Sequence, residues 1–296
     1  MLMRNDINDQ EEPLTEVGRQ EMEMAAYKLP SLTSPNGPPV RLYIVAGSKH
    51  WYQAVFCLWS FAKASKRPIF PVIIDDGTMK LKQAETLQRI FPDLQIVSIG
   101  ESLERLDEFL PEKHYPYLRA QQKVNPVYRK ILDVHTRGTG WKLQLDADML
   151  FFHSPKFLLD WYDNPSKALY SEDIKNAYSC SIVKLSEMIG QPVLQRVNAG
   201  IIGIRSVEID WEMMEFWTKQ LLHDGGYDHF YEQTLFALHL TGKECLVAPK
   251  KDYTVLPEYP EVYECNAVMH HYVVHSRKWY FQRNWRRFIT EIISAQ

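Results

Sequence analysis

Asp146 and Asp148 lie two residues apart inside an apolar stretch, WKLQLDADMLFF (141–152). Leu143 and Leu145 precede them, and Met149, Leu150, Phe151 and Phe152 follow. On an extended chain, carboxylates at this spacing project to one side. Burying both unpaired costs several kcal/mol, so a positive partner is expected. A divalent cation that prefers hard oxygen ligands, Mg²⁺ or Mn²⁺, suits them. An acidic pair at the end of a central strand also stands where open α/β sheets place their ligands. The alternative is a strand that ends in a turn with two solvated acids.

The elements that must position this pair can be read in order. Residues 1–37 are poor in core formers: MLMRNDINDQEEPLTEV is charged and SLTSPNGPP is a Pro/Ser/Gly linker. A short helix over VGRQEMEMAAYKL is expected between them, the whole forming a loosely attached arm. The domain proper, 38–296, opens with VRLYIVAG, a buried strand. WYQAVFCLWSFAKAS is apolar on nearly all sides, as a buried helix is. IFPVIIDDG and LQIVSIG read as further strands, with helices between and after them. Pro126–Thr136 reads as a helix leading into the central strand 142–152. ALYSED and VNAGIIGIR are strands, the second with two glycines of the kind that admit a ligand or another backbone. Helices follow over 209–221 and 231–240, then two short strands and an aromatic, basic terminus. Strands alternating with helices predict an α/β fold whose central, mostly parallel sheet is flanked by helices.

Composition narrows the function. The chain has 296 residues, 45% of them hydrophobic, enough for a sizeable core. A net charge of −3 gives no general basic field for nucleic acid. Four separated cysteines, Cys57, Cys180, Cys245 and Cys265, form no CxxC pair and read as free thiols in a reducing compartment. No apolar run is long enough to span a bilayer, and the first residues are charged and polar, so a cytoplasmic protein is expected.

Several stretches, in order, resemble the nucleotide-sugar glycosyltransferases of the GT-A fold, and family eight among them (the glycogenin and bacterial lipopolysaccharide galactosyl- and glucosyltransferase group). LQLDADMLFF is similar to that family's Leu-Asp-Ala-Asp segment, and VNAGIIGI to its Asn-Ala-Gly strand. YEQTLFAL resembles its Asp-Gln-x-x-Leu helix start, with Glu232 for Asp. VYRKIL resembles its Tyr-x-Arg-Leu-Leu helix, with Lys130 for Arg. HHYVVHSRKW is similar to its His-Phe-x-Gly-x-x-Lys-Pro-Trp terminus, although glycine and proline are missing and Lys278 lies one residue further from His271.

The resemblance implies roles for individual residues. Asp146 and Asp148 would hold Mn²⁺ or Mg²⁺ against the donor diphosphate, Asp146 also reaching the ribose. A histidine would complete the ligand set: His271, or His275, which shares its face if the segment is a strand, while His270 points away. Lys278 would touch the β-phosphate. Ala46, Gly47 and Tyr52 would meet the nucleobase, and Asp75 or Asp76 the ribose or base. Lys130 would approach donor phosphates or sugar, and Glu172 and Asp173 donor hydroxyls. Asn198 would bond sugar or acceptor hydroxyls, with Ala199 and Gly200 leaving room. Gln233 would lie beneath the anomeric carbon; glutamine is a poor nucleophile, which favours front-face attack over double displacement. Glu232 is the alternative base or nucleophile.

The implied activity is metal-dependent transfer of a hexose from a nucleotide sugar, UDP-linked, to a hydroxyl of a glycan, lipid or protein, with retention. The arginines and aromatics of 277–288 fit either peripheral contact with anionic lipid or a packed terminal helix. Two other classes compete. Phosphohydrolases of the haloacid dehalogenase type also carry Asp-x-Asp after an apolar strand, but near the chain start and followed by Thr or Val. A non-catalytic nucleotide-sugar-binding relative would share the fold without turnover.

Overall fold

The computed structural model describes residues 11–33, 35–223 and 229–289. Ten strands are present among them: β1 (Val40–Ala46), β2 (Ile69–Asp75), β3 (Gln95–Val97), β4 (Trp141–Leu145), β5 (Met149–Phe151), β6 (Ala168–Glu172), β7 (Val197–Arg205), β8 (Cys245–Ala248), β9 (Tyr253–Val255) and β10 (Met269–His271). The helices are α1 (Glu11–Ala26), α2 (Trp51–Ser65), α3 (Leu81–Ile90), α4 (Ile99–Phe109), α5 (Pro116–Val124), α6 (Leu132–His135), α7 (Lys156–Asp163), α8 (Ile182–Ile189), α9 (Trp211–His223), α10 (Tyr231–Leu240), α11 (Glu261–Glu264) and α12 (Arg277–Gln282).

Seven strands form one sheet in the order β3-β2-β1-β4-β7-β6-β8. Only β7 runs against its neighbours β4 and β6; the other pairings are parallel. Side chains alternate across a strand, so the sheet separates two cores. Ile201 packs with Leu143, Leu145 and the largely buried helix α2 on one face. Ile202 and Ile204 pack with α9 and α10 on the other. Local chemistry marks helix ends: Ser98 and Glu101 close a reciprocal capping box on α4, and Gly190 ends α8 at φ 69°.

The expected central strand 142–152 is two strands in two sheets. β4 ends at Leu145, and β5 belongs to a small sheet of order β5-β10-β9. Asp146, Ala147 and Asp148 form the turn between them, so the pair is not presented by strand alternation. Instead the turn is anchored on three sides. The Asp146 amide donates to Gly200 O at 2.9 Å, the Cys57 thiol donates to Asp146 O at 3.4 Å, and the Tyr272 amide donates to Asp148 O at 2.9 Å. The helix expected over 126–136 is likewise divided, a 3₁₀ turn (Pro126–Lys130) leading into α6.

The N-terminal segment departs from expectation more strongly. Residues 1–10 and 34 lie outside the described residues, but 11–32 are built into the domain rather than loosely attached. Met22 and Ala26 of α1, and Leu29 and Leu32 after it, are buried in the main core. α1 lies on α12 so closely that a Cβ on Gly18 would stand 2.3 Å from Phe281 O, which only glycine permits. Gln282 donates to Thr15 Oγ1 at 2.9 Å, Arg286 pairs with Glu21, and Trp51 Nε1 donates to Glu23 at 3.1 Å. The sequence conceals this because the buried stripe is short and its partners lie some 260 residues away in the chain.

The aromatic terminus is packed as well. Tyr280, Phe281, Trp285 and Phe288 are buried in the same core. Of the two readings of 277–288, the packed terminal helix is the one these buried side chains match. No described helix is long and apolar enough to cross a membrane.

Candidate active site

The C-terminal end of β4 opens into a cavity of about 340 Å³. Asp146 and Asp148 come from the turn after β4, and His271 from β10, which pairs antiparallel with β5. His271 Nε2 stands 3.2 Å from Asp148 Oδ1 and 3.6 Å from Asp146 Oδ2. One ligand atom from each of the three residues falls within 4.8 Å of the others. Two carboxylate oxygens and an imidazole nitrogen in this small triangle fit Mn²⁺ or Mg²⁺. Gly200 makes the triangle possible, because a Cβ there would stand 2.5 Å from His271 Cε1.

Alternation selects the histidine as the sequence suggested. His271 faces the aspartates, whereas His270 turns to the other side, its Nε2 2.7 Å from Glu261 and its Nδ1 3.0 Å from Tyr272 Oη. His275 is corrected as a candidate. β10 ends at His271, and Val274 at φ 50° starts a 3₁₀ turn, so alternation does not reach His275. Its ring is half exposed, 3.4 Å from Glu258.

Charge is tightly organised. Lys130 pairs with Asp146 and, at 3.0 Å, with Glu232 Oε1. Burial alone would lower the Lys130 pKa, but Asp146 and Glu232 outweigh it and raise it. Burial would raise Asp148, yet His271, Arg277 and Lys130 together hold it below the usual carboxylate range. Burial would lower His271, but Asp148 and Asp146 raise it. Glu232 is pushed up to about 8, chiefly by burial, with Lys130 opposing and Asp146 adding to the rise.

Across the cavity the polar side chains hold one another. Asp173 Oδ2 accepts from Asn198 Nδ2 at 2.9 Å and from Gln233 Nε2 at 3.1 Å. Gln233 also donates to Ala177 O at 2.9 Å and accepts from the Ala199 amide at 3.3 Å. Asn198 Oδ1 accepts from the Gly200 amide at 3.0 Å. Asn198 and Gln233 therefore fix the Asp173 carboxylate from β7 and α10.

Of the residues singled out in the sequence, Lys130, Asp146, Asp148, Asp173, Asn198, Ala199, Gly200, Glu232, Gln233 and His271 line this one cavity. Others do not. Glu172 turns outward to Arg196 at 2.6 Å, because neighbours on a strand face opposite ways. Lys278 lies over the Trp279 ring at 4.8 Å, outside the cavity lining. Arg277 takes its place, 3.4 Å from Asp148 Oδ2. The one-residue offset of Lys278 from the family spacing was the signal for this, since Arg277 stands at that spacing. Ala46, Gly47, Tyr52, Asp75 and Asp76 gather beside the neighbouring strand ends instead. Asp75 accepts from the Gly77 and Met79 amides at 2.9 and 3.1 Å, and Asp76 from the Thr78 amide at 3.0 Å, so both close the turn after β2. Tyr52 is fully buried beneath α1, near Arg19. His229, Phe230, Leu256 and Val273 also line the cavity, and no sequence pattern marked them.

This sheet order, with an Asp-x-Asp turn after the fourth strand and a histidine from a late strand facing it, is that of the GT-A fold. Among solved structures, the galactosyltransferase LgtC, in complex with donor and acceptor sugar analogues, matches 86% of this chain and 96% of its own at TM-score 0.53 and 15% identity. The apo form of mouse xyloside xylosyltransferase 1 matches 79% of this chain and 98% of its own at TM-score 0.53 and 11% identity. The glycosyltransferase GlyE of Streptococcus pneumoniae TIGR4 matches 86% of this chain and 64% of its own at TM-score 0.52 and 10% identity. No family model and no curated protein matches the sequence.

Proposed function

We propose that this chain is a metal-dependent glycosyltransferase that moves a hexose from a UDP-linked sugar to a hydroxyl of a glycan, lipid or protein, with retention. The observation that carries the reading is the Asp146–Asp148–His271 triangle at the mouth of the cavity in a GT-A sheet. These three residues would hold the ion, which when bound neutralises charge on the departing diphosphate.

The other residues have work that follows from their positions. Arg277, more than half exposed at the cavity edge, offers a guanidinium fork to the donor phosphates. Lys130 keeps positive charge between Asp146 and Glu232. Asp173, locked by Asn198 and Gln233, presents its carboxylate to donor-sugar hydroxyls. Both ends of the Gln233 amide are already engaged, so it orients Asp173 rather than attacking carbon. Glu232 is tied to Lys130 and has a raised pKa, which makes it a poor carboxylate nucleophile near neutral pH. With neither side chain suited to a covalent step, front-face attack follows, and the donor phosphate can take the acceptor proton.

The test is UDP release from a panel of UDP-hexoses, with Mn²⁺ and with chelator. Wild type should release UDP only with metal, and Asp148→Asn and His271→Ala should lose most of that rate while keeping their fold by circular dichroism. Mn²⁺-dependent donor binding without release identifies a non-catalytic relative. Phosphate release from a simple phosphomonoester identifies a phosphohydrolase. Full turnover in both variants overturns the metal assignment.

A further inference from the structure

A second cavity, of about 420 Å³, lies at the opposite end of the sheet from the metal triangle. β1 and β4 both begin there, pairing in parallel with Leu42 beside Leu143. Arg41 and Lys142 precede those partners in their strands, and Arg137 comes from the turn before β4. All three line the cavity together with Tyr43 and Tyr162, and no carboxylate residue does.

Each cation is held in place while leaving donors unused. The Arg41 guanidinium lies 4.6 Å over the Phe70 ring, and its amide donates to Tyr162 Oη at 2.9 Å. The Lys142 ammonium, almost wholly buried, donates to Val134 O at 2.7 Å and Gly138 O at 3.4 Å. An ammonium has three N–H groups, so one remains. Arg137 reaches Ser102 Oγ at 3.5 Å, while its Nε is buried with no hydrogen-bond partner. Among the described residues, none of the three forms an ion pair; Asp133 is taken by Arg129 at 2.8 Å. Buried donors left unsatisfied are costly, and a polar ligand recovers that cost.

We propose that this cavity is a second ligand site, which takes the phosphoryl group of a phosphate monoester through Arg41, Arg137 and Lys142. Three cations around one cavity match a group carrying close to two negative charges better than a single carboxylate. Two guanidinium forks match its tetrahedral oxygens. Burial, then Arg137, Arg105 and Arg41, push the Lys142 ammonium down to about 7, and a bound phosphoryl dianion would favour its protonated form. The site is separate from the donor site: Lys142 and Asp146 stand at opposite ends of β4, on the order of 13 Å apart at about 3.3 Å per residue. The phosphoryl group can belong to a soluble metabolite or to a lipid headgroup.

The full chain in metal-free buffer should be titrated with inorganic phosphate by calorimetry. Sedimentation with phosphatidylcholine vesicles, with and without phosphatidylinositol 4-phosphate, forms the second arm. Arg41 is exposed, so Arg41→Gln should fold normally; Arg137→Gln should be checked by its melting curve. Both should weaken phosphate binding on the order of tenfold, while Lys251→Gln, an exposed lysine that lines neither cavity, should leave it unchanged. Phosphate binding without vesicle binding identifies a soluble ligand, and vesicle binding that needs both the phosphoinositide and Arg41 identifies a headgroup; each supports the site. No binding in either arm, or binding kept at full strength in both Arg41→Gln and Arg137→Gln, overturns it.

Discussion

Gly200→Ala tests the site's architecture without removing any ligand. The added methyl would stand 2.5 Å from His271 Cε1, 2.6 Å from Met149 Cε and 2.7 Å from Asn198 Oδ1. Met149 can move at little cost, because its terminus is flexible. Asn198 is held by the Gly200 amide and Asp173, and His271 is only 3% exposed between two carboxylates. The imidazole must therefore tilt. Overpacking of this kind costs about 1–3 kcal/mol, and with two of three contacts unyielding about 2 kcal/mol is expected. Tilting the imidazole away from Asp148 should also weaken Mn²⁺ binding by about tenfold, or 1.4 kcal/mol. Gly203→Ala is the control on the same strand: its methyl would stand 2.6 Å from the Trp161 ring, and neither residue lines the cavity. Urea denaturation in chelator gives stability, and calorimetric Mn²⁺ titration gives affinity. Both variants should lose stability, but only Gly200→Ala should lose affinity. Equal affinity losses in the two, or none in Gly200→Ala, would refute the claim that Gly200 makes room for the third ligand.

Two further outcomes are expected. Deleting residues 1–37 strips Met22, Leu29 and Leu32 from the core; at about 1.5–3 kcal/mol for each buried side chain, and roughly 2–4 °C per kcal/mol, the melting temperature should fall by about 10 °C or more. A fall of only a degree or two in a thermal melt would show that the helix contributes nothing to the fold. Stability should also rise with pH above neutrality. Folded Lys142, facing Arg137, Arg105, Arg41 and Tyr43, keeps its proton only below about 7, whereas an unfolded lysine keeps it to about 10.4. Between those values the unfolded chain binds more protons, so this residue alone adds up to about 1.4 kcal/mol per pH unit; below 7 both states are protonated and the penalty is complete. Lys142→Met should flatten the rise in urea midpoints between pH 7 and 9, and an unchanged slope would remove Lys142 as its source.

The readable and unreadable parts of this chain differ in range. Alternating β-branched runs and the uniformly apolar α2 encode the sheet, because each pattern lies within one element. The choice of His271 over His270 was legible for the same reason: a face is decided within a few residues; the Asp146/Asp148 pair was legible from its spacing and apolar flanks, although a turn presents it. Prediction stopped where position depends on distant partners. The docking of α1 turns on Phe281 and Gln282. Gln233 looks like a residue beneath a reacting carbon until its hydrogen bonds to Asp173, Ala177 and Ala199 are in view. The loss of His275 from the His271 face depends on the 3₁₀ turn at Val274, whose positive φ no β-branched residue advertises.

The clasp between α1 and α12 bears on the order in which the molecule can be assembled. Thr15 meets Gln282, and Glu21 meets Arg286, so two of the earliest described residues wait for two of the last. His271 is also made late, after every strand of the large sheet. A chain emerging from the ribosome can thus lay down most of its sheet while the ion triangle is incomplete and the apolar side of α1 is uncovered. Exposed surface of that kind invites chaperones and self-association until residues 277–288 arrive. Contacts that span nearly the whole chain also slow folding, because a long loop must close before they form. The Asp146–Asp148–His271 triangle therefore closes only after β10 has been made, and a ribosome stalled before His271 would hold a nascent sheet without the third member.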